Sequence, residues 1–428
     1  MKILEIYIDG YKNITNTRLR FDKPIVVLIS KNNYGKTNLL KGVREGFRFL
    51  KFGLTNSRAF NSAGFQNRFS DTPDNFTFEV RFKVSVDHSK TYIYKYSVGN
   101  CVVDGELGIC EEELSYLVGD DTESEVRLFY RPEPTKDKYG QVFLHKDEGG
   151  DPGVFHANNP TLSFHLRSFA TGIRAEEGTV WSRHKDTIKE IEQAYKELVP
   201  AGEVLTGEII LHEDSRFREF CDVAKKLYEL KDGNDMDISN FEYFQASIRE
   251  LFPKIQIDSK LDANDKPQLT FNRETDGGKE GVETLSFGTR RVIRFLFDIF
   301  ISENPLVSME ELEIGIHPKL FTKTLNKLSE MLENKAERNA FTRIVVTSHS
   351  TNLINKLLND VDALYFGLDG YEKDRFYNAR FAGFSVSGRE NFMKRIEDLN
   401  YTYSIGDIIY DYDEHPKYAQ ELLSWLDV

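Results

Sequence analysis

An apolar strand running straight into a Gly-Lys-Thr loop and then an apolar helical stripe constrains this chain more than any other feature. Ile25-Val26-Val27-Leu28-Ile29 shows no polar alternation, so it reads as a strand buried on both faces. Ser30-Lys31-Asn32-Asn33-Tyr34-Gly35-Lys36-Thr37 follows, and Leu40, Val43, Phe47 and Leu50 then recur at helical spacing. This strand–loop–helix order is the context of the Walker A phosphate cradle, in which successive backbone N–H groups and the helix N-terminus wrap a phosphate. Lys36 is placed to reach the β- and γ-phosphates, and the Thr37 hydroxyl to bind Mg²⁺. Ser30 stands where the pattern has its first glycine, and a positive φ there would cost about 1–2 kcal/mol. The bland alternative is a Gly-Lys-Thr that happens to fall in a surface loop.

Around the cradle the periodicity changes three times. Ile3, Ile6 and Ile8 mark an opening strand and Thr17–Phe21 a second one. After a polar stretch at 53–75, expected as loop, Phe76, Phe78, Val80, Phe82, Val84 and Val86 keep a two-residue period. Tyr92, Tyr94, Tyr96 and Val98 return it, which predicts a long antiparallel hairpin. Shorter strands are expected at Val126–Tyr130 and Val142–His145. From about Thr179 the stripes are helical: Ile188, Ile191, Tyr195 and Leu198 up to Pro200, then Phe217 to Leu227, then Phe241 to Leu251. Strands at Leu306–Met309, Ile344–Thr347 and Ala363–Phe366 restore α/β character, and a helix is expected around Asn391–Asp398.

Four segments are therefore expected. Residues 1–175 form an N-terminal half with an antiparallel β subdomain, and 176–254 a helical insert. Residues 255–366 form a C-terminal half, and 367–428 a small α/β extension.

Charge and cysteine content limit the setting. The 56 Lys and Arg against 69 Asp and Glu leave a net charge of −13, which excludes a wholly basic nucleic-acid coat. Lys41, Arg44, Arg48 and Lys51 share one side of the first helix and read either as a phosphate-facing stripe or as a solvated face. Three cysteines without a CxxC pair argue against a disulfide scaffold or structural zinc. No signal-peptide order and no long apolar run is present, so a soluble, cytoplasmic protein without membrane contact is expected.

Three further segments carry chemistry. Leu285-Ser286-Phe287-Gly288-Thr289-Arg290-Arg291 opens an apolar helix, and its amides suit an anion, although Ser286 also reads as a plain N-cap. Leu306-Val307-Ser308-Met309-Glu310-Glu311 is a strand ending in two carboxylates, before Leu312-Glu313-Ile314-Gly315-Ile316-His317-Pro318. The first acid is suited to orient Mg²⁺ through water, and the second to position an attacking water. Arg343-Ile344-Val345-Val346-Thr347-Ser348-His349 is another strand, ending at a histidine.

In this order the four segments resemble the Walker A, signature, Walker B and switch-histidine motifs of ABC-type ATPases. Asn32 and Asn38 around the cradle, LSFGTRR and GIHP are most similar to the RecF/SMC/OLD group. The resemblance implies an α/β P-loop ATPase head, a mixed sheet flanked by helices with an antiparallel β subdomain and a helical insert. It implies ATP and Mg²⁺ as cofactors, and a dimer in which one subunit's signature covers the other's nucleotide. Carried over, Ser30, Asn32, Asn33, Tyr34, Gly35, Lys36, Thr37 and Asn38 form the nucleotide cradle. Ser286 and Gly288 meet the partner's γ-phosphate, Thr37 and Glu310 hold the metal, and Glu311, His349 and Lys36 are catalytic. Gln66 is the candidate for the glutamine of the Q-loop. The family has Asp where this chain has Glu310, which together with Ser30 points to slow turnover.

Three roles follow from the resemblance. A stand-alone ATPase of this size resembles the ATPase partner of bacterial anti-phage systems, controlling a separately encoded effector such as a nuclease. A RecF/SMC-like repair ATPase acting on DNA is the second reading, and a non-hydrolysing nucleotide-gated scaffold the third. Asp411-Tyr412-Asp413 resembles part of a TOPRIM nuclease, but without a complete preceding strand–Glu unit no internal nuclease is expected.

Overall fold

The structure is a computed structural model, and it describes residues 1–30, 34–56, 75–84, 89–100, 107–119, 125–132, 141–144, 154–156, 184–204, 220–273, 279–301, 305–337, 341–348, 364–370, 378–398 and 423–427. Strands β1 (Lys2–Asp9), β2 (Thr17–Arg20) and β3 (Ile25–Ile29) precede helix α1 (Lys36–Asn56). Then come β4 (Phe76–Lys83), β5 (Lys90–Asn100), β6 (Leu107–Val118), β7 (Glu125–Arg131), β8 (Gln141–Leu144), β9 (Val154–His156) and α2 (Lys185–Val204). Next are α3 (Cys221–Lys231), α4 (Asp235–Leu251), β10 (Ile255–Leu261), β11 (Pro267–Arg273) and β12 (Lys279–Glu280). They are followed by α5 (Phe287–Phe300), β13 (Leu306–Met309), α6 (Pro318–Glu337) and β14 (Arg343–Thr347). The last are β15 (Leu364–Gly370), β16 (Asn378–Gly383) and α7 (Val386–Asp398).

The chain divides into two compact units, residues 1–206 with 357–428, and residues 207–356. The stretch 176–254, expected as one helical insert, is shared between them: α2 packs against α1 in the first unit, whereas α3 and α4 belong to the second.

In the first unit, eight antiparallel strands run in the order β2-β1-β4-β5-β6-β7-β8-β9. The expected hairpin is β4–β5, with Phe78 opposite Tyr96 and Val80 opposite Tyr94. Phe76, Phe78, Phe82, Tyr92, Tyr94 and Tyr96 are all fully buried, each stabilising the unit by about 1.5–3 kcal/mol through burial. Helix α1 lies against this aromatic face. Phe47 meets Phe78 edge-on at 5.1 Å, Phe49 stacks on Tyr96 at 4.3 Å, and the Tyr96 hydroxyl donates to the Gly46 carbonyl. A Cβ on Gly46 would lie 2.2 Å from the Phe78 ring, so glycine is what lets the helix come this close. Strand β3 pairs in parallel with β15, and β16 is antiparallel to β15.

The second unit packs α4 and α6 on α5, with Phe244 edge-on to Phe297 and Lys327 paired to Glu250 and Glu330. A small antiparallel sheet β10-β11-β12 lies beside α3, and β13 pairs in parallel with β14.

Several expectations need correction. Helix α1 continues through Asn56, into the stretch 53–75 expected as loop. Helix α2 runs on to Val204 rather than stopping at Pro200. Strands β6, β9, β10, β11, β12 and β16 were not anticipated by the periodicity. No described helix is long and apolar enough to cross a membrane.

Candidate functional site

The first unit carries the phosphate cradle. Buried β3 delivers the chain to Ser30, and α1 starts at Lys36 with no acidic residue in its first turn, so its positive end suits an anion. Gly35 has φ 101°, in the region where only glycine is unstrained, and a Cβ there would press on the Asn13 side chain. Lys36 donates to the Ser30 carbonyl at 2.6 Å and lies 3.4 Å from its hydroxyl, folded back along the loop. The Thr37 side chain is exposed, as a hydroxyl ligand to Mg²⁺ needs to be.

Ser30 is not in the left-handed region, so the strain anticipated for it is absent. Room for its side chain comes from the neighbouring strand: a Cβ on Gly367 of β15 would lie 2.5 Å from the Ser30 Cβ. Asn38 donates to Asn13 at 2.7 Å, tying the first turn of α1 to the β1–β2 connection.

The second unit carries the helix start and the acids. Ser286 caps α5, its hydroxyl accepting from the Thr289 N–H at 3.3 Å, so the N-cap reading of this residue holds. Gly288 has a packing reason as well: a Cβ on it would lie 2.0 Å from the Gly315 carbonyl oxygen. The opening turn of α5 is thus seated directly on the turn that follows the two carboxylates.

At the end of β13, Glu311 takes φ 45°, a strained conformation for a non-glycine residue that costs about 1–3 kcal/mol. Two groups hold it there. The Thr347 hydroxyl accepts from the Glu311 N–H at 2.9 Å, and the Arg291 guanidinium donates to the carbonyls of Glu310 and Glu311, the latter at 2.9 Å. Arg291 is buried, and burial pushes its guanidinium below the usual range while the carboxylates of Glu313, Glu311 and Glu310 push the other way. Ser348, fully buried at the end of β14, donates to Glu313 at 3.0 Å. His317 and Pro318 start α6, with His317 Nδ1 accepting from the Lys319 N–H.

The residues predicted for the site thus fall into two groups. Ser30, Tyr34, Gly35, Lys36, Thr37 and Asn38 are gathered at the β3–α1 junction. Ser286, Gly288, Glu310 and Glu311 are gathered where α5 meets the β13 turn. Asn32, Asn33, His349 and Gln66 lie outside the described residues, as do Asp411 and Asp413. On the basic stripe of α1, Arg44 and Arg48 both pair with the buried Glu45 at 3.2 Å, so their charges are taken up within the first unit. Sequence reasoning missed Asn13, Arg291 and Thr347. For Arg291 a signal existed, since a charged residue one turn into an otherwise apolar helix needs a buried acceptor.

A buried strand feeding a Gly-Lys-Thr loop at a helix start, and a second strand ending in paired carboxylates under a serine-capped helix, define a P-loop ATPase of the ABC/AAA type. Residues 25–355 match the family described as "AAA domain, putative AbiEii toxin, Type IV TA system", and the chain belongs to that family.

Among solved structures, the chain is similar to an SmcHead bound to the C-winged helix domain of ScpA (11% identity, 90% of this chain and 98% of that one, TM-score 0.47). It is also similar to the SMC head domain from Thermotoga maritima (12%, 90% and 100%, 0.40). A third similar structure is the Smc head domain with coiled coil and joint derived from Pyrococcus yayanosii (11%, 93% and 99%, 0.41). No curated protein matches the chain.

Proposed function

We propose that this chain binds ATP with Mg²⁺, hydrolyses it slowly, and pairs with a second copy around the nucleotide to control a separately encoded effector in bacterial anti-phage defence. The observation that carries the hydrolytic part is the clamped left-handed turn at Glu311. Strain of this kind persists only where surrounding groups over-determine it, and it fixes the backbone from which the Glu311 side chain leaves the end of an apolar strand. Lys36 is the phosphate-binding cation. Thr37 and, through water, Glu310 are the groups that would hold Mg²⁺, which when bound neutralises charge on the phosphates. Glu311 orients the attacking water and accepts its proton. Ser286 and Gly288 serve the partner's γ-phosphate, and His349 acts as its sensor. The defence role draws support from the family's description, which names a toxin of a toxin–antitoxin system.

Glu310 stands where the RecF/SMC/OLD pattern has aspartate, and its extra methylene moves the charge at a site where small displacements are costly. That observation keeps a second reading, a nucleotide-gated scaffold that does not turn over. Steady-state ATPase assays on wild type and Glu311→Gln separate the two. Slow turnover that falls about 10²–10⁴-fold in Glu311→Gln, with ATP binding retained, is the expected result. No turnover in wild type that still binds ATP leaves the scaffold, and a wild type that binds no ATP removes both. Co-purification of a neighbouring gene's nuclease supports the defence role, whereas DNA-stimulated turnover points to repair.

A further inference from the structure

In the first unit a polar cleft of about 230 Å³ is lined by residues that the nucleotide reading does not use. Arg18 and Arg20 enter it from β2, at the edge of the eight-stranded sheet, and Arg380 enters from β16. Arg18 and Arg20 are two residues apart on one strand and so leave it on the same side. Tyr365 of β15 adds a hydroxyl, and Asp22 and Asp427 also line the cleft.

The three guanidiniums are not equally satisfied. Arg18 pairs with Glu5 and Glu79, and Arg20 with Glu5 at 3.4 Å and Asp427 at 3.0 Å. Beyond its backbone pairing with Leu368 on β15, the Arg380 side chain has no ion pair among the described residues, its charge is felt by the Tyr7 hydroxyl, and its Nε–H is buried without an acceptor. A buried, unmatched guanidinium N–H costs free energy that a bound acceptor would recover. The Tyr365 hydroxyl accepts from the Arg20 N–H at 2.7 Å and donates to the Arg20 carbonyl at 3.3 Å, which fixes the backbone under the arginine.

We propose that this cleft binds a phosphate group, with Arg380, Arg20 and Arg18 as its donors. Guanidinium forks suit phosphate oxygens, and donors arriving from two strands suit a tetrahedral anion better than a planar carboxylate. The volume is below that of ordinary small-molecule sites, which fits a small anion rather than a whole nucleotide. The Asp427 carboxylate already sits on Arg20, and both side chains are about half exposed, so a competing anion displaces it at little cost. Asp427 is the built-in competitor. The proposal is independent of the ATPase reading, because the cleft shares no residue with the Lys36–Thr37 cradle.

Calorimetric titration of inorganic phosphate into Lys36→Ala protein tests it, since phosphate held by the nucleotide cradle is then disfavoured. Binding is expected to survive Lys36→Ala, to weaken about tenfold or more in Arg380→Gln, and to strengthen severalfold in Asp427→Asn. A short single-stranded oligonucleotide tests the other source of the same group; binding that depends on Arg380 supports the cleft with a nucleic-acid phosphate as occupant. The net charge of −13 favours the small anion. Binding abolished by Lys36→Ala, binding indifferent to Arg380→Gln, or no binding of either probe overturns the proposal. If Arg380→Gln does not fold, judged by its melting curve, the exposed Asp427→Asn decides: unchanged affinity there overturns it as well.

Discussion

Arg291 carries more of the acidic turn than either carboxylate reveals. Its guanidinium reaches from α5 to two successive carbonyls, at the point where Glu311 is held at positive φ. Replacing it with Met keeps the apolar stem but leaves both carbonyls without their charged donor. Arg291→Met is expected to lower stability by about 1–3 kcal/mol and to reduce kcat more than it raises KM for ATP, because it disturbs Glu311, the group proposed to act on the attacking water, rather than a proposed binding contact. Denaturant melts together with steady-state kinetics check this. Arg291→Lys is expected to rescue only part, since an ammonium cannot reproduce a planar fork to two acceptors. An unchanged kcat in Arg291→Met would reduce the residue to simple packing.

At the scale of elements, the contact between α1 and the antiparallel sheet depends on what is missing from the helix. Gly46 costs α1 about 1 kcal/mol in intrinsic propensity, yet a Cβ there would be 2.2 Å from Phe78. Gly46→Ala is therefore expected to destabilise by about 1–3 kcal/mol despite its better helix propensity, measurable as a lowered denaturation midpoint.

Strand β6 presents the converse case, a charge where the pattern calls for an apolar side chain. Glu112 is fully buried; the Tyr94 hydroxyl donates to it at 2.8 Å, and Arg131 lies 3.9 Å away. Burial pushes the Glu112 carboxyl up, with Arg131 and the Tyr94 hydrogen bond opposing. Because the folded value lies above the unfolded one, the stability this represents is complete below about pH 4.5 and is lost as pH rises through the folded value. Melting curves of Glu112→Gln between about pH 4 and pH 7 are expected to lack that decline relative to wild type. A wild-type slope identical to the variant's would show that Glu112 stays ionised in the folded chain.

The molecule as a whole is two units, and the groups proposed to act on ATP are divided between them. Phe287 and Ile314, beside the start of α5 and the turn after the acids, are 37% and 44% exposed although both are large and apolar. Such residues flanking Ser286 fit the proposed ATP-dependent pairing of two copies. Ile314→Asp is expected to abolish the ATP-induced increase in mass of Glu311→Gln protein without changing the melting temperature of the isolated chain. Light scattering with and without ATP checks it; pairing that survives Ile314→Asp would place the interface elsewhere.

How much of this was legible beforehand differs by element. The β3–α1 cradle, the β4–β5 hairpin and β13 with its two acids were readable because each depends on a local period or a short motif. Strand β6 was not, because Glu111-Glu112-Glu113 hides the alternation and a register shift between Ser97 and Val98 breaks it further. Only the Tyr94 hydroxyl and Arg131, brought in from neighbouring strands, make a buried glutamate tolerable there. Ser30 was legible as a departure but not as a harmless one, since its accommodation depends on Gly367, far away in the chain and next to it in the sheet. Which residues bear a motif is written along the chain, because the backbone's own periods impose it. Whether a charge, a strained turn or a missing glycine is affordable was decided by tertiary neighbours, because desolvation and close contact depend on distance in space.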